Sequence, residues 1–168
     1  MYSLEPMGLQ KILANIFNEL SESLVRETGR RSEQGGLALA PADIRIVGQC
    51  ALLLADLPFP VAGSVDLDAL IRGDFWVRST LEKLLLPEGL TLDSDAHLIW
   101  MPDDTRYTPF FASPVLTVTL AEPDAVIASK CKFRRPKDRD LIRTYLQHFP
   151  GAQESLKRWK ISWQWITS

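Results

Sequence analysis

Cysteine is scarce in this chain: Cys50 and Cys131 are its only two, far apart and outside any CxxC spacing. Neither a disulfide framework nor a cysteine zinc site is implied, and two buried free thiols are the expectation. The two histidines, His97 and His148, have no partner at ligand spacing and read as structural. Long apolar runs are missing as well. Stretches such as "ALLLA" (51–55) fall far below the ~20 residues that span a bilayer. The opening "MYSLEPMGLQ" lacks the basic n-region and apolar h-region of a signal peptide, so a soluble, cytoplasmic protein without a membrane partner is expected. No G-x-S-x-G surrounds Ser64, which removes the nucleophile-elbow class of hydrolase. Internal repeats, low-complexity tracts and linkers are absent too.

What is present has ordinary globular balance: 168 residues, 46% hydrophobic and 24% charged, enough for one domain with a sizeable core. The net charge of −2 argues against a general nucleic-acid coat protein. Its distribution is uneven. Between Lys130 and Arg143 seven basic residues face only Asp138 and Asp140, a local +5 that leaves −7 for the rest of the chain. A basic block on an acidic body is a candidate anion site; a solvated helix face is the competing structural reading.

Helical spacing of Leu9, Ile12, Leu13, Ile16, Phe17, Leu20 and Leu24 predicts an amphipathic first helix stopping near Gly29, followed by an exposed loop over 30–36. "ADIRIVGQCALLLADLP" (42–58) reads as a strand, a turn at Gly48 and a buried helix ending near Pro58. "VAGSVDLDALI" follows as a second strand, and "DFWVRSTLEKLLLPEG" as a helix with Trp76, Leu81, Leu84 and Leu85 inward. From 90 to 121 the pattern is β, with strands in "HLIWMP", "RYTPFFAS" and "PVLTVTLAE". Three helices are expected after it, in "PDAVIASKCKF" (123–133), "RPKDRDLIRTYLQHF" (135–149) and "AQESLKRWKISWQWI", the last with Trp159 and Trp163 one turn apart. The predicted fold class is α/β (α+β): a single domain with a small mixed β-sheet flanked by helices, divided into an N-terminal helix and loop (1–40), a core (41–121) and C-terminal helices (122–168).

Two aspartates, Asp66 and Asp68, stand two apart in the second strand and therefore share a face. Paired carboxylates make a hard oxygen site for Mg²⁺ or Mn²⁺ in phosphoryl transfer, or else the polar stripe of a half-exposed strand. Gly48, between a strand and a helix, offers backbone N–H groups to a phosphate, or simply makes a tight turn. Lys130, Arg135 and Lys137 could neutralise triphosphate charge, with Asp138 and Asp140 holding them in place, or the same residues form a self-satisfied ion-pair network between helices. Trp159, Trp163 and Trp165, flanked by Lys157, Arg158 and Lys160, suit base stacking or a helix anchored to the core.

Gly48, Ala51, Ser64, Asp66 and Asp68, followed by "PDAVIASKCKFRRPKDRDLI" with its Lys130, Arg135, Lys137, Asp138 and Asp140, resemble the bacterial nucleotidyltransferase-like proteins related to the AbiEii abortive-infection toxins, within the DNA polymerase β superfamily. The resemblance covers roughly residues 44–146. It implies a nucleotidyltransferase-like core that, if active, transfers a nucleoside monophosphate from a nucleoside triphosphate to a hydroxyl of a nucleic acid or protein. Asp66 and Asp68 would be catalytic and hold Mg²⁺ or Mn²⁺; Gly48, Ser64, Lys130, Arg135 and Lys137 would bind nucleotide. Transfer RNA or another RNA, and a cognate antitoxin protein, are the further partners it implies. The alternative is a catalytically degenerate module that keeps the fold to bind nucleotide, RNA or a protein. The chain departs from the pattern in having Gly48-Gln49 at the turn and Ala62 where an arginine is common. A third carboxylate belongs on a later strand, where "PVLTVTLAE" offers Thr117 and Thr119, with Asp103, Asp104 and Glu122 at turns or strand ends.

Overall fold

The computed structural model describes residues 6–167. Helix α1 (Pro6–Glu33) buries Leu9, Leu13, Ile16, Phe17, Leu20 and Leu24, a stripe at three- and four-residue spacing, and places the Phe17 ring edge-on to Phe110 at 6.0 Å. It runs one turn past the expected stop at Gly29. Gly29 has open space around it, and Glu27 ion-pairs with both Arg30 and Arg31 in the last turn, so the helix continues through the glycine and the exposed connection starts only after Glu33.

Five strands, β1 (Ala42–Val47), β2 (Asp66–Arg72), β3 (Thr91–Leu92), β4 (Tyr107–Ala112) and β5 (Leu116–Ala121), form one mixed sheet in the order β3-β2-β1-β5-β4. Strand β1 is antiparallel to β2 and parallel to β5, β3 runs parallel to β2, and β4 is antiparallel to β5. Register puts Ile46 beside Ala69 and Leu120, and Ile44 beside Val118, on the buried face; Arg45, Leu70 and Thr119 share the more open one. Helix α2 (Gly48–Leu54) packs against β1, β2 and β5, while α3 (Phe75–Leu85) packs against α1 and β3. Helices α4 (Pro123–Phe133), α5 (Arg139–His148) and α6 (Ala152–Arg158) follow the sheet, as expected of the C-terminal part.

Two expected elements differ. "HLIWMP" is not a strand: Ala96–Leu98 is a 3₁₀ turn, and residues 93–106 carry the chain from the β3 edge to the β4 edge, packing Ile99, Trp100 and Met101 onto the core. Burial of those apolar side chains, rather than sheet pairing, explains the pattern. The last helix is also shorter than its periodicity suggests. Lys160 adopts φ 59°, a left-handed position that ends α6, and Gln164–Thr167 resumes only as a 3₁₀ turn. No described helix is long and apolar enough to cross a membrane.

A candidate anion and metal site between three carboxylates and a basic wall

Strand alternation sets the first wall of the site. Leu67 and Ala69 are buried, so Asp66 and Asp68 turn to the other face of β2. Ser64 prepares the entry to the strand: its hydroxyl donates to the Asp66 carbonyl (3.1 Å) and accepts from the Asp66 N–H (3.2 Å). Gly48 abuts the second carboxylate. At φ 69°, a Cβ placed there would lie 2.1 Å from Asp68 Oδ2, so the turn after β1 admits glycine only, on conformational and on steric grounds.

The third carboxylate is Asp93, which the sequence pattern did not single out. The parallel pairing of β2 and β3 (Asp66 with Thr91, Leu67 with Leu92) continues one step further, and the Asp93 N–H donates to the Leu67 carbonyl at 3.0 Å. Asp93 thereby stands near Asp68, and both line the same cavity. Burial pushes the Asp68 carboxyl up to about 7, helped by the Asp93 charge and opposed by Lys130. Asp93 moves the other way, held below its usual range by the Asp95 N–H and by Asp68. Thr117 and Thr119, where a third acid was sought, sit on β5, on the opposite side of β1 from β2. Glu122 instead accepts from the Arg106 N–H, and Asp104 from the Trp159 indole, so neither joins the site.

Helix α4 supplies the facing wall. Lys130 is 6% exposed, and its ammonium donates to Asp138 Oδ1 at 3.3 Å; Arg135 reaches Oδ2 of the same carboxylate at 3.0 Å. Burial pushes Lys130 down, Asp138 opposing it. Arg134, at φ 52°, turns the chain sharply enough for the 3₁₀ turn Pro136–Asp138 to bring its aspartate back under Lys130. Asp140 has no part in this: it is exposed and pairs with Arg143.

Between the two walls lies a cavity of about 580 Å³ that Gly48, Ser64, Asp66, Asp68, Lys130, Arg135 and Lys137 all line, together with Asp93 and Asp138. Residues chosen from three separated stretches of sequence thus meet in one place. Oxygen donors in this number suit a hard divalent cation. As they stand, no three acidic, histidine or cysteine side chains among the described residues converge enough to hold one: Asp66 Oδ1 accepts from the Thr91 hydroxyl instead. Trp159 lies apart, beside a smaller cleft lined by Trp100, Asp104 and Arg158, and Trp163 and Trp165 are half-buried against the core. Comparison with family models, curated proteins and solved structures finds no match for this chain.

Proposed function

We propose that this protein is a metal-dependent nucleotidyltransferase that moves a nucleoside monophosphate from a nucleoside triphosphate to a hydroxyl group. The single observation that carries the reading is the facing of Asp66, Asp68 and Asp93 by Lys130, Arg135 and Lys137 across one cavity. Phosphoryl transfer needs little covalent help from a protein; it needs positioning and neutralised charge, and these side chains provide both. In the step itself an acceptor oxygen bonds to the α-phosphorus, the bond to the bridging oxygen breaks, pyrophosphate leaves, and a carboxylate of the trio takes the hydroxyl proton. Bound Mg²⁺ or Mn²⁺ would supply electrophilic stabilisation at the phosphate oxygens. Asp66, Asp68 and Asp93 would hold it once Asp66 turns from Thr91. Arg135, half exposed and planar, suits bidentate contact with the triphosphate, and Lys137 adds a point charge at the mouth. The Ser64 hydroxyl engages the Asp66 backbone at the cavity wall, and Gly48, also on that wall, clears space for Asp68.

The resemblance gives the acceptor as a hydroxyl of a nucleic acid or of a protein, with transfer RNA or another RNA among the candidates, in a toxin paired with an antitoxin. A binding module without turnover is the second reading, favoured by one specific observation, that Lys130 and Arg135 already satisfy Asp138. The test separates them. The full chain is incubated with each α-labelled triphosphate, Mg²⁺ or Mn²⁺, and total RNA or protein as acceptor, beside Asp68→Asn. Label on an acceptor that disappears in the variant establishes transfer. Metal-dependent nucleotide binding without label establishes the binding module, and the absence of both refutes the nucleotide reading.

A further inference from the structure

The charged cavity has an apolar lip. Leu98 and Ile99, in the segment that follows the short strand β3, and Phe133 and Leu141, at the end of α4 and in α5, line it as well. Six large hydrophobic side chains are exposed among the described residues, and two of them, Leu98 at 66% and Phe133 at 50%, belong to this one cavity. Isolated exposed apolar residues need no explanation, but two on the rim of a charged pocket do. Phe133 ends α4, and only the left-handed Arg134 separates it from Arg135, so an aromatic face and a guanidinium border the same space.

We infer that this lip receives the base of a nucleoside triphosphate by contact with its ring face, and that it does not discriminate between bases; the inference rests on the nucleotide reading above. The occupant must carry a planar, weakly hydrated group at one end and concentrated negative charge at the other, because the lip and the cations share one cavity. A nucleotide has that form, whereas inorganic phosphates lack the planar part. Indifference to the base follows from the polar groups nearby. Gln49 Nε2 donates to the Ala62 carbonyl at 2.9 Å, the Ser64 hydroxyl is engaged with the Asp66 backbone, and Ser129 is buried within α4. What the lip offers is ring and aliphatic surface, and every base has a face that fits it.

The experiment is calorimetric titration of the full chain with Mg²⁺ and, in turn, ATP, GTP, CTP, UTP and inorganic tripolyphosphate, for wild type, Phe133→Ala and Phe133→Trp. The four nucleotides should bind within tenfold of one another and at least about tenfold more tightly than tripolyphosphate. Phe133→Ala should weaken each nucleotide about tenfold while leaving tripolyphosphate unchanged, and Phe133→Trp should restore binding with quenched indole emission. Equal affinity for tripolyphosphate and nucleotides, a preference above tenfold for one base, or equal weakening of all ligands by Phe133→Ala overturns the inference while the anion site stands. Should tripolyphosphate and all four nucleotides fail to bind, the nucleotide reading falls and the lip assignment falls with it.

Discussion

Replacing Asp138 by alanine tests whether the basic wall is held together as the geometry requires. Lys130 and Asp138 have side chains 7% and 6% exposed, and the carboxylate satisfies both the Lys130 ammonium and the Arg135 Nε. Removing it leaves a buried ammonium beside Arg135 and Lys137 without its hydrogen-bonded carboxylate, a situation that costs about 3–5 kcal/mol. That is a large share of the ~5–15 kcal/mol that stabilises a domain. Lys130→Met should cost less, about 1–2 kcal/mol, because Asp138 keeps Arg135 and the methionine stem still fills the space. In the double variant Lys130→Met, Asp138→Ala the losses should not add; a coupling of about 1–3 kcal/mol is expected from urea unfolding of the four proteins. The sign of the pH dependence gives a second reading. A lysine whose folded pKa lies below its unfolded value of 10.5 binds fewer protons when folded, so stability rises with pH across that window. Asp138→Ala lowers the folded value further, and part of its loss should be recovered as pH rises towards the unfolded value of 10.5. A cost below about 1 kcal/mol with no recovery at high pH would mean that Lys130 is solvated, and the account of the wall would fail.

Asp68 carries the opposite sign. Its folded pKa of about 7 exceeds the ordinary 3.8, so the fold without a cation loses stability as pH rises from about 4 to 7; Asp68→Asn should therefore raise the midpoint of the cation-free protein at pH 8 by a few degrees while abolishing any rise caused by Mg²⁺ or Mn²⁺, both read by thermal unfolding. An unchanged midpoint at pH 8 would contradict the burial of this carboxyl. Gly48→Ala should cost at least about 1–3 kcal/mol in urea unfolding and displace Asp68, since the added methyl meets Oδ2 at 2.1 Å on a backbone at φ 69°; a silent substitution would mean that the turn relaxes away from the carboxylate.

Much of this site was legible before the fold was. Alternation alone placed Asp66 and Asp68 on one face of a strand, because a residue that follows a buried leucine by one step must point the other way. Gly48 was legible as a break between β-branched and helical composition, though not as a steric necessity, since the atom it avoids is twenty residues downstream. Asp93 was not legible. Its strand, Thr91–Leu92, is two residues long and followed by Asp-Ser-Asp, which reads as a turn; only the parallel pairing with β2 gives it meaning. The signal that could have found it is topological: a strand, the helix α3 and a short Thr-Leu-Asp in a parallel crossover repeat the polar, apolar, polar order of Asp66-Leu67-Asp68. "HLIWMP" misled for the converse reason. Its apolar residues are buried by packing, and periodicity does not separate packing from pairing over so few residues.

The basic motif divides into two parts that charge counting treats as one. Lys130 is buried and tied to Asp138, so turning it toward a ligand would strip that aspartate of a partner; Arg135, about half exposed, can leave Asp138 at little cost because water already covers part of its guanidinium. Lys137 is exposed on the cavity mouth. Framework and ligand-facing roles therefore fall to residues five and seven positions apart, and the left-handed Arg134 is what allows a helix end to present both. The same division operates on the acidic side. Asp68 is half-buried, whereas Asp66 is exposed and accepts from the Thr91 hydroxyl, so on the proposed reading the side chains that would move to meet a metal and a triphosphate are those already nearest water. A site arranged in this way keeps its buried lysine paired with Asp138 and leaves its exposed charges, Asp66, Arg135 and Lys137, as the ones that the proposed nucleotide would engage.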